Sequence, residues 1–360
     1  MGIKGDKMPN SAGMKTIMFQ CAEAASAILL KHFGKIESVV KKGEVDLVTI
    51  ADKEAEKAII RRIQIAFPDH AIQGEESGNI SPEQKKAKSP GRRASRQFAP
   101  RPSAPRPSVS RPCAPRPSVS RPCAPRPPAP RPSAPRSPVS RPSAPRPSVS
   151  RPTEYCWLID PLDGTMNFAH GNPLFTVSIA LLRRGRAIMG LVADPMRGEW
   201  YFAERGRGAW LYTRRGGAGV AGSGARNAGG CFRRKRMHVS KVRKLGESLI
   251  YTGFPHNRRE IAAQLAQTLQ ALLMCTHGVS RQGSAALDLC FVAAGRCEAF
   301  YEPKLEPWDL AAGALIVEEA GGRCTDYAGR RMVTPGTRIV ATNGHIHRAL
   351  LRVIQENWTD

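Results

Sequence analysis

The sequence lacks any apolar run approaching the roughly 20 residues that a membrane span requires. Its first residues, Met-Gly-Ile-Lys-Gly-Asp-Lys, are not followed by the apolar segment of a secretory signal peptide. Nine cysteines are present, an odd number, and no two of them form a C-x-x-C pair. This pattern disfavours a zinc site and predicts reduced thiols in a soluble, cytoplasmic protein without a membrane partner.

Acidic residues are missing from two long stretches. Between Gln84 and Thr153 there are 17 Lys or Arg residues and no Asp or Glu, and between Arg205 and Lys244 there are 12 more basic residues without an acid. The whole chain of 360 residues has a formal charge of +25, so the remainder is slightly acidic. We interpret the high charge as a property of two basic inserts in a mildly acidic body that is long enough to bury a full core.

The first basic stretch is a repeat. From Arg101 to Ser150 the sequence runs in pentads such as Arg-Pro-Ser-Ala-Pro and Arg-Pro-Ser-Val-Ser. Proline every few residues excludes helices and sheet ladders, and like charge at each repeat favours extension. We therefore predict a disordered, partly polyproline-II insert over 84–153. Two interpretations stay open: a repeat expansion tolerated at the surface, because lengthening a flexible loop costs little, or a binding segment for an anionic partner such as RNA.

Helix-like and strand-like patterns alternate along the rest of the chain. They predict an α/β (α+β) protein with layered helices and sheets, including an antiparallel meander of three strands. The predicted organisation is a core formed by 1–83 and 154–360, split by the repeat insert, with a second, Gly/Arg-rich loop at about 213–232. The predicted helices are 14–33, one ending near Phe67, 258–275, 284–294, 308–320 and 345–355; the strands are 45–49, 71–73, 174–182, 186–193, 199–203, 248–252, 298–302 and 338–342.

Three acidic clusters stand at strand ends or helix starts. Asp160 and Asp163 follow an apolar run and are spaced three residues apart on what reads as a tight turn, where two carboxylates repel unless cations lie between them. Each cluster alone has an ordinary interpretation as an acidic turn or a helix cap; the three in this order are far more specific. They are Gly74-Glu75-Glu76-Ser77, Asp160-Pro161-Leu162-Asp163-Gly164-Thr165 and Trp308-Asp309-Leu310-Ala311-Ala312-Gly313.

Together with further ordered motifs, these clusters resemble the inositol monophosphatase family, in particular its bacterial inositol-1-monophosphatase branch. The resemblance runs from about 14 to 358, apart from the two inserts. It implies a layered αβαβα sandwich, a homodimer and a lithium-sensitive, Mg²⁺-dependent phosphatase. The further motifs are Asp46-Leu47-Val48-Thr49 with Asp52, Val239-Ser240-Lys241, Thr252-Gly253-Phe254-Pro255, Gly283-Ser284-Ala285-Ala286-Leu287-Asp288-Leu289, Gly295-Arg296 and Ala341-Thr342-Asn343-Gly344.

The resemblance also implies metal ligands and catalytic residues. Glu75, Asp160 and the Leu162 carbonyl would hold one Mg²⁺, and Asp160, Asp163 and Asp309 a second. A third, weaker ion is expected near Glu75 with Asp52 in its water shell, so two to three ions are expected. Glu75 and the Thr165 hydroxyl would activate a water for in-line attack, with Asp160 bridging the metals.

For the substrate, the resemblance implies a phosphate cradle of Gly164 and Thr165 beside Leu162 and Asp163. Glu302, together with Gly283, Ser284, Ala285 and Asp309, would contact the inositol. The family often has Arg three residues before the motif glycine; here that position is Ser280, and Arg281 follows it.

The predicted reaction is hydrolysis of myo-inositol 1-phosphate to inositol and phosphate. One alternative is a phosphatase of another sugar or nucleotide phosphate in the same superfamily. The other is an RNA-associated transcription antitermination factor, which the basic inserts would suit. Because 17 cations are tethered beside a carboxylate cluster, we also hypothesise that the repeat insert inhibits the site.

Overall fold

The fold was obtained as a computed structural model, which describes residues 11–35, 39–41, 47–82, 153–214, 232–255, 257–331 and 338–358. Residues 1–88 and 152–360 belong to one compact unit. Within the described residues, no helix is long and apolar enough to cross a membrane. The predicted repeat insert and most of the predicted Gly/Arg-rich loop lie outside the described residues.

The described α-helices and strands are numbered in chain order, and a short 3-10 helix at Leu245–Glu247 is left unnumbered. The helices are α1 (Ser11–His32), α2 (Ile50–Ala66), α3 (Thr165–Ala169), α4 (Ala262–Cys275), α5 (Ala285–Ala293), α6 (Pro307–Glu319) and α7 (His347–Asn357). The strands are β1 (Val39–Lys41), β2 (Leu47–Thr49), β3 (Ala71–Gly74), β4 (Gly78–Ile80), β5 (Tyr155–Asp163), β6 (Thr176–Arg183), β7 (Arg186–Asp194), β8 (Glu199–Glu204), β9 (Ala209–Arg214), β10 (Phe232–Arg236), β11 (Leu249–Thr252), β12 (Gly278–Ser280), β13 (Ala299–Glu302), β14 (Arg323–Thr325) and β15 (Ile339–Thr342).

Two large sheets organise the chain. The first has eight strands in the order β10-β9-β8-β7-β6-β5-β3-β4, and the second has five in the order β12-β11-β13-β15-β14. A separate pair joins β1 and β2. From β5 to β10 all neighbours are antiparallel, which confirms the predicted meander, whereas β3 and β5 run parallel.

Buried residues divide into three hydrophobic cores, and the middle one contains the central layer of helices. On β5, Trp157 and Ile159 pack with α1 and α2, while Leu158 between them packs on the opposite face with α5 and α6. This period of two is what a strand covered on both faces requires. The core that contains Leu158, α5 and α6 also includes Phe300 of the five-stranded sheet. A third core joins that sheet's other face to α4 and α7. The order is therefore αβαβα, as predicted.

Each predicted helix and strand has a counterpart in the structure within a few residues. Six short strands were not predicted, namely β1, β4, β9, β10, β12 and β14. The Gly/Arg-rich stretch is flanked by β9 and β10, which pair in register from Trp210 with Arg236 to Arg214 with Phe232. Strand β10 was not predicted, because Phe-Arg-Arg-Lys-Arg has no apolar alternation. The predicted tight turn at Asp160 and Asp163 is also wrong: both residues belong to the end of β5, which is irregular at this point.

Candidate active site

The predicted site residues line one cavity of about 650 Å³. Asp52 is the exception, since it is buried but does not line the cavity. Residues from five separate parts of the chain meet here, so the fold brings together residues that are far apart in the sequence. The predicted residues in the lining are Glu75, Asp160, Leu162, Asp163, Gly164, Thr165, Gly283, Ser284, Ala285, Glu302 and Asp309.

Glu75 and Asp160 meet because two parallel strands end at the same edge of the sheet. Gly74 of β3 is in register with Ile159 of β5, and the next residue on each strand is the acid. The Glu75 N–H donates to the Ile159 carbonyl oxygen at 3.2 Å. The pairing thus crosses the repeat insert without depending on it.

Asp160 and Asp163 reach the same cavity because β5 bulges between them. Asp160 pairs with Ser178 and Asp163 with Thr176, so three steps on β5 oppose two on β6. Without the extra residue, strict alternation would direct these side chains to opposite faces of the sheet. The Asp-Pro-Leu-Asp spacing therefore produces a bulged strand end with both carboxylates on one side.

The turn that carries Glu75 is held by Glu56, which sequence reasoning did not single out. Glu56 is buried, and its Oε1 accepts the N–H groups of Glu76 and Ser77 at 3.0 and 3.3 Å. A Cβ at Gly74 would overlap this carboxylate, so a larger residue there would displace Glu56 from these hydrogen bonds. Burial raises the pKa of Glu56, against the effect of these hydrogen bonds. In the sequence, Glu56 is one of several acids near the start of α2, and this pattern indicates only where the helix begins.

Asp163 is anchored by the start of α5. Its Oδ2 accepts from the Ser284 hydroxyl at 2.6 Å and from the Ala286 N–H at 2.8 Å, and its Oδ1 accepts from the Ala285 N–H at 3.3 Å. Burial raises the Asp163 pKa and these bonds oppose the rise. Two residues predicted as substrate contacts, Ser284 and Ala285, thus orient a carboxylate.

Asp309 caps a helix and also lines the cavity. It is the third residue of α6 in a capping box with Glu306, whose N–H donates to Asp309 Oδ2 at 2.8 Å. Asp309 nevertheless lines the cavity, and burial with the negative charge of Asp163 raises its pKa well above the usual range. A helix cap and a cavity carboxylate are the same side chain.

The segment from Asp160 to Thr165 is held by its own hydrogen bonds. The Thr165 hydroxyl donates to the Leu162 carbonyl oxygen at 2.9 Å, and Leu162 N–H donates to Asp160 Oδ1 at 2.9 Å. Gly164 has φ +95°, and a Cβ there would stand 2.7 Å from the Leu174 carbonyl oxygen. Asn167, which sequence reasoning missed, fixes the facing loop by donating to Leu174, Gln282 and Gly283 carbonyls at 2.7 to 3.3 Å.

The electrostatics of the cavity suit a divalent cation. Burial raises the pKa of Asp160 well above its usual range, and the negative charges of Glu75, Asp163, Asp309 and Asp52 raise it further. Carboxylate and carbonyl oxygens are the donors that Mg²⁺ takes. Among the described residues, no three His, Cys, Asp or Glu side chains form a cluster tight enough to hold an ion as they stand. The oxygen atoms that line the cavity are therefore of the type that binds Mg²⁺, although they do not form a complete coordination shell.

The far side of the cavity carries Glu302, Asp288 and Arg281. Glu302 ends β13, and a Cβ at Gly253 would overlap its carboxylate. Arg281 lines the cavity and lowers the pKa of Glu302, which burial raises. Ser280 belongs to β12, and its hydroxyl accepts from Gln282 at 3.1 Å. Arg281 thus lines the cavity, although it lies one residue after the position where the family often has its arginine.

Other lining residues were not singled out from the sequence. Asp288 had a signal, because it stands four residues after Ser284 on one face of α5. Arg258, Lys304 and Leu305 also line the cavity and carry no such spacing. The lining residues Phe254, Pro255 and Trp308 belong to the family motifs Thr252-Gly253-Phe254-Pro255 and Trp308-Asp309.

The chain is an αβαβα sandwich of five layers, and a cavity lined by buried carboxylates lies where strands β3 and β5 end. These features define a class of α/β protein whose oxygen-lined site is compatible with cations. Comparison with known proteins names the family. The profile of the inositol monophosphatase family matches residues 12–93 and 137–359, and the chain belongs to that family.

Individual relatives agree. A protein of Pseudomonas aeruginosa named Nus factor SuhB is 32% identical over 346 residues, which cover 95% of this chain and 96% of that one. An inositol-1-monophosphatase of Synechocystis is 31% identical, with 92% of this chain and 85% of that protein covered. The crystal structure of extragenic suppressor protein suhB from Bartonella henselae superposes with a TM-score of 0.68 at 29% identity, covering 96% of this chain and all of that one.

Proposed function

We propose that this protein is a Mg²⁺-dependent phosphomonoesterase that hydrolyses myo-inositol 1-phosphate to inositol and phosphate. One observation carries the proposal: Asp160 is 2% exposed in a cavity where Glu75, Asp163 and Asp309 raise its pKa. Buried carboxylates crowded together repel one another, and this repulsion is costly unless cations compensate it. Family membership and relatives named inositol-1-monophosphatase support the reaction.

The chain's own residues divide into cation and phosphate binding. Glu75, Asp160 and the Leu162 carbonyl would hold one Mg²⁺; Asp160, Asp163 and Asp309 would hold a second, and a third would lie near Glu75 with Asp52 behind it. When bound, Mg²⁺ supplies Lewis-acid polarisation of phosphate oxygens and makes water a stronger nucleophile near neutral pH.

Around these ligands, Gly164 and Thr165 N–H groups bind phosphate oxygens. Glu75 accepts the proton of the attacking water, with the Thr165 hydroxyl orienting it. Glu302 binds an inositol hydroxyl beside Gly283, Ser284 and Ala285. We further propose that the enzyme acts in the cytoplasm as a homodimer.

The test is phosphate release from myo-inositol 1-phosphate, a hexose 1-phosphate and a nucleoside monophosphate, with Mg²⁺ or EDTA and with or without Li⁺. The proposal expects release that requires Mg²⁺, falls with Li⁺ and has its highest kcat/KM on the inositol ester. A higher kcat/KM on either other ester supports the alternative of a different sugar or nucleotide phosphate. Absence of phosphate release from all three esters would contradict the proposal that the protein is a phosphatase.

A second candidate function, contact with RNA in a transcription complex, rests on β10. This strand is the edge of the eight-stranded sheet and carries four consecutive exposed basic residues, Arg233 to Arg236. The Arg234 and Arg236 guanidinium groups lie 4.9 and 5.9 Å from the centre of the Trp210 ring. Basic side chains beside an aromatic ring match how proteins bind single-stranded nucleic acid, and relatives named Nus factor SuhB support the idea.

The experiment measures RNA affinity at several salt concentrations for wild type and for R233E/K235E. A steep fall of affinity with salt, and weaker binding in the variant, supports this second function. Equal binding by the two proteins, or affinity that ignores salt, contradicts a role for β10.

A further inference from the structure

Asp288 has a buried carboxyl oxygen without a partner. Its side chain is 1% exposed, lines the cavity, and has an Oδ1 that forms no hydrogen bond with any described residue. Leaving a buried polar atom unpaired costs roughly 1–3 kcal/mol. The neighbouring positions on α5, Leu287, Leu289 and Cys290, are apolar and fully buried. Packing therefore gives no reason for an acid here.

The surroundings of Asp288 point to a ligand with hydroxyl groups. Glu302, which is 6% exposed, lines the same cavity, and its negative charge acts on Asp288. Arg281 lines the cavity too, and its positive charge acts on both carboxyls. Two acids facing one arginine repel a second anionic group of a substrate. A neutral hydroxyl both donates and accepts, so it pairs with a carboxyl group in either protonation state.

Glu302 is held in place by a separate device. Gly253, just after β11, leaves the space that the Glu302 carboxylate fills, since a Cβ there would overlap it. Thr252 also fixes this strand end by donating its hydroxyl to the Tyr301 carbonyl at 3.1 Å. The backbone beside Glu302 is therefore fixed and its carboxylate occupies the space at Gly253, whereas Asp288 Oδ1 has no hydrogen-bond partner among the described residues.

We propose that Asp288 is a specificity-determining residue that, with Glu302, binds two hydroxyl groups of a cyclic polyol monophosphate. This inference rests on the proposed phosphatase function and deepens it. It gives Arg281 the role of balancing the two acids. Compounds without ring hydroxyls gain nothing from Asp288.

The test compares Asp288→Ala and Asp288→Asn with wild type on myo-inositol 1-phosphate and on p-nitrophenyl phosphate, whose leaving group has no ring hydroxyls. We expect kcat/KM for the inositol ester to fall about 10- to 100-fold in Asp288→Ala, less in Asp288→Asn, and to change under about 3-fold for the aryl ester. Asp194→Asn is the matched control, because Asp194 is buried and bonded to Arg197 outside the cavity. It should leave the ratio of the two kcat/KM values unchanged.

A binding measurement separates this inference from the proposed function. Isothermal titration calorimetry of myo-inositol 1-phosphate needs no turnover, and we expect a 10- to 100-fold weaker Kd in Asp288→Ala. Equal losses on both esters, no loss on either, or an unchanged Kd would overturn the role of Asp288. A wild type that binds the inositol ester more tightly than Asp288→Ala yet releases no phosphate would overturn the phosphatase instead.

Discussion

The Glu75 N–H donates to the carbonyl oxygen of Ile159, the residue before Asp160, at 3.2 Å. This bond continues the parallel pairing of β3 with β5 and joins two sides of the repeat insert. The two acids of the candidate site are therefore brought together by backbone pairing within the described residues. Side chains that share an ion need this kind of rigid support.

We predict that the phosphatase core works without the repeat insert. Replacing 85–152 with a short Gly/Ser linker should leave a folded protein with wild-type kcat, because the β3–β5 register and the Glu56 contacts are independent of those residues. Far-UV circular dichroism and phosphate release measure this. KM tests the self-inhibition hypothesis: an unchanged KM removes it, and a lower KM supports it. An unfolded or inactive deletion protein would contradict the prediction.

Gly190 controls how closely β7 approaches α6, the helix that carries Asp309. A Cβ at Gly190 would stand 2.8 Å from both the Cα and the carbonyl oxygen of Ala312. Gly190→Ala should therefore lower the free energy of unfolding by about 1–3 kcal/mol through overpacking. Urea denaturation measures it, with Gly246→Ala as control because its nearest atom would be 3.8 Å away. Equal free energies of unfolding for the two variants would contradict this prediction and would show that α6 can shift away from β7 without cost.

His347 predicts a dependence of stability on pH. It lies between two hydroxyls, with Nε2 and Nδ1 each 3.0 Å from Thr325 and Thr342 Oγ1, and burial, with a smaller effect of the Arg323 charge, lowers its pKa to about 4. Because the unfolded chain binds the proton more readily, its contribution to stability is present above pH 6.5 and is lost as pH falls towards 4.

The expected loss is at most about 3 kcal/mol over this range. Urea denaturation at pH 7, 5.5 and 4.5 should show that His347→Gln has a shallower fall than wild type, while the exposed His238→Gln matches wild type. Parallel curves for all three proteins would contradict the account of His347.

Much of the fold was predictable because its elements have strong local patterns. Strands β5 to β8 are apolar runs separated by turn residues, and α6 begins at Pro307 and is followed by Gly321 and Gly322. Strand β10 was not predictable, since its basic residues form a strand through pairing with β9 rather than through their own propensity. Tertiary pairing decides such segments.

The candidate site shows the same division. Acid spacing indicated Glu75, Asp160, Asp163 and Asp309 through resemblance, and all four line the cavity. The bulge between Asp160 and Asp163 depends on the register with β6, which residue types alone do not encode. The supporting contact of Glu56 is equally a product of tertiary structure, since twenty residues separate it from Glu76.

The most direct test of the central claim is the Mg²⁺-dependent release of phosphate from myo-inositol 1-phosphate by wild type and Asp160→Asn, with Asp194→Asn as the buried control. Asp160 is proposed to bind both principal cations, so its loss should reduce kcat/KM about 1,000-fold or more. Mg²⁺ should also raise the Tm of wild type and of the control, but much less that of Asp160→Asn. An Asp160→Asn protein as active as wild type would contradict the account.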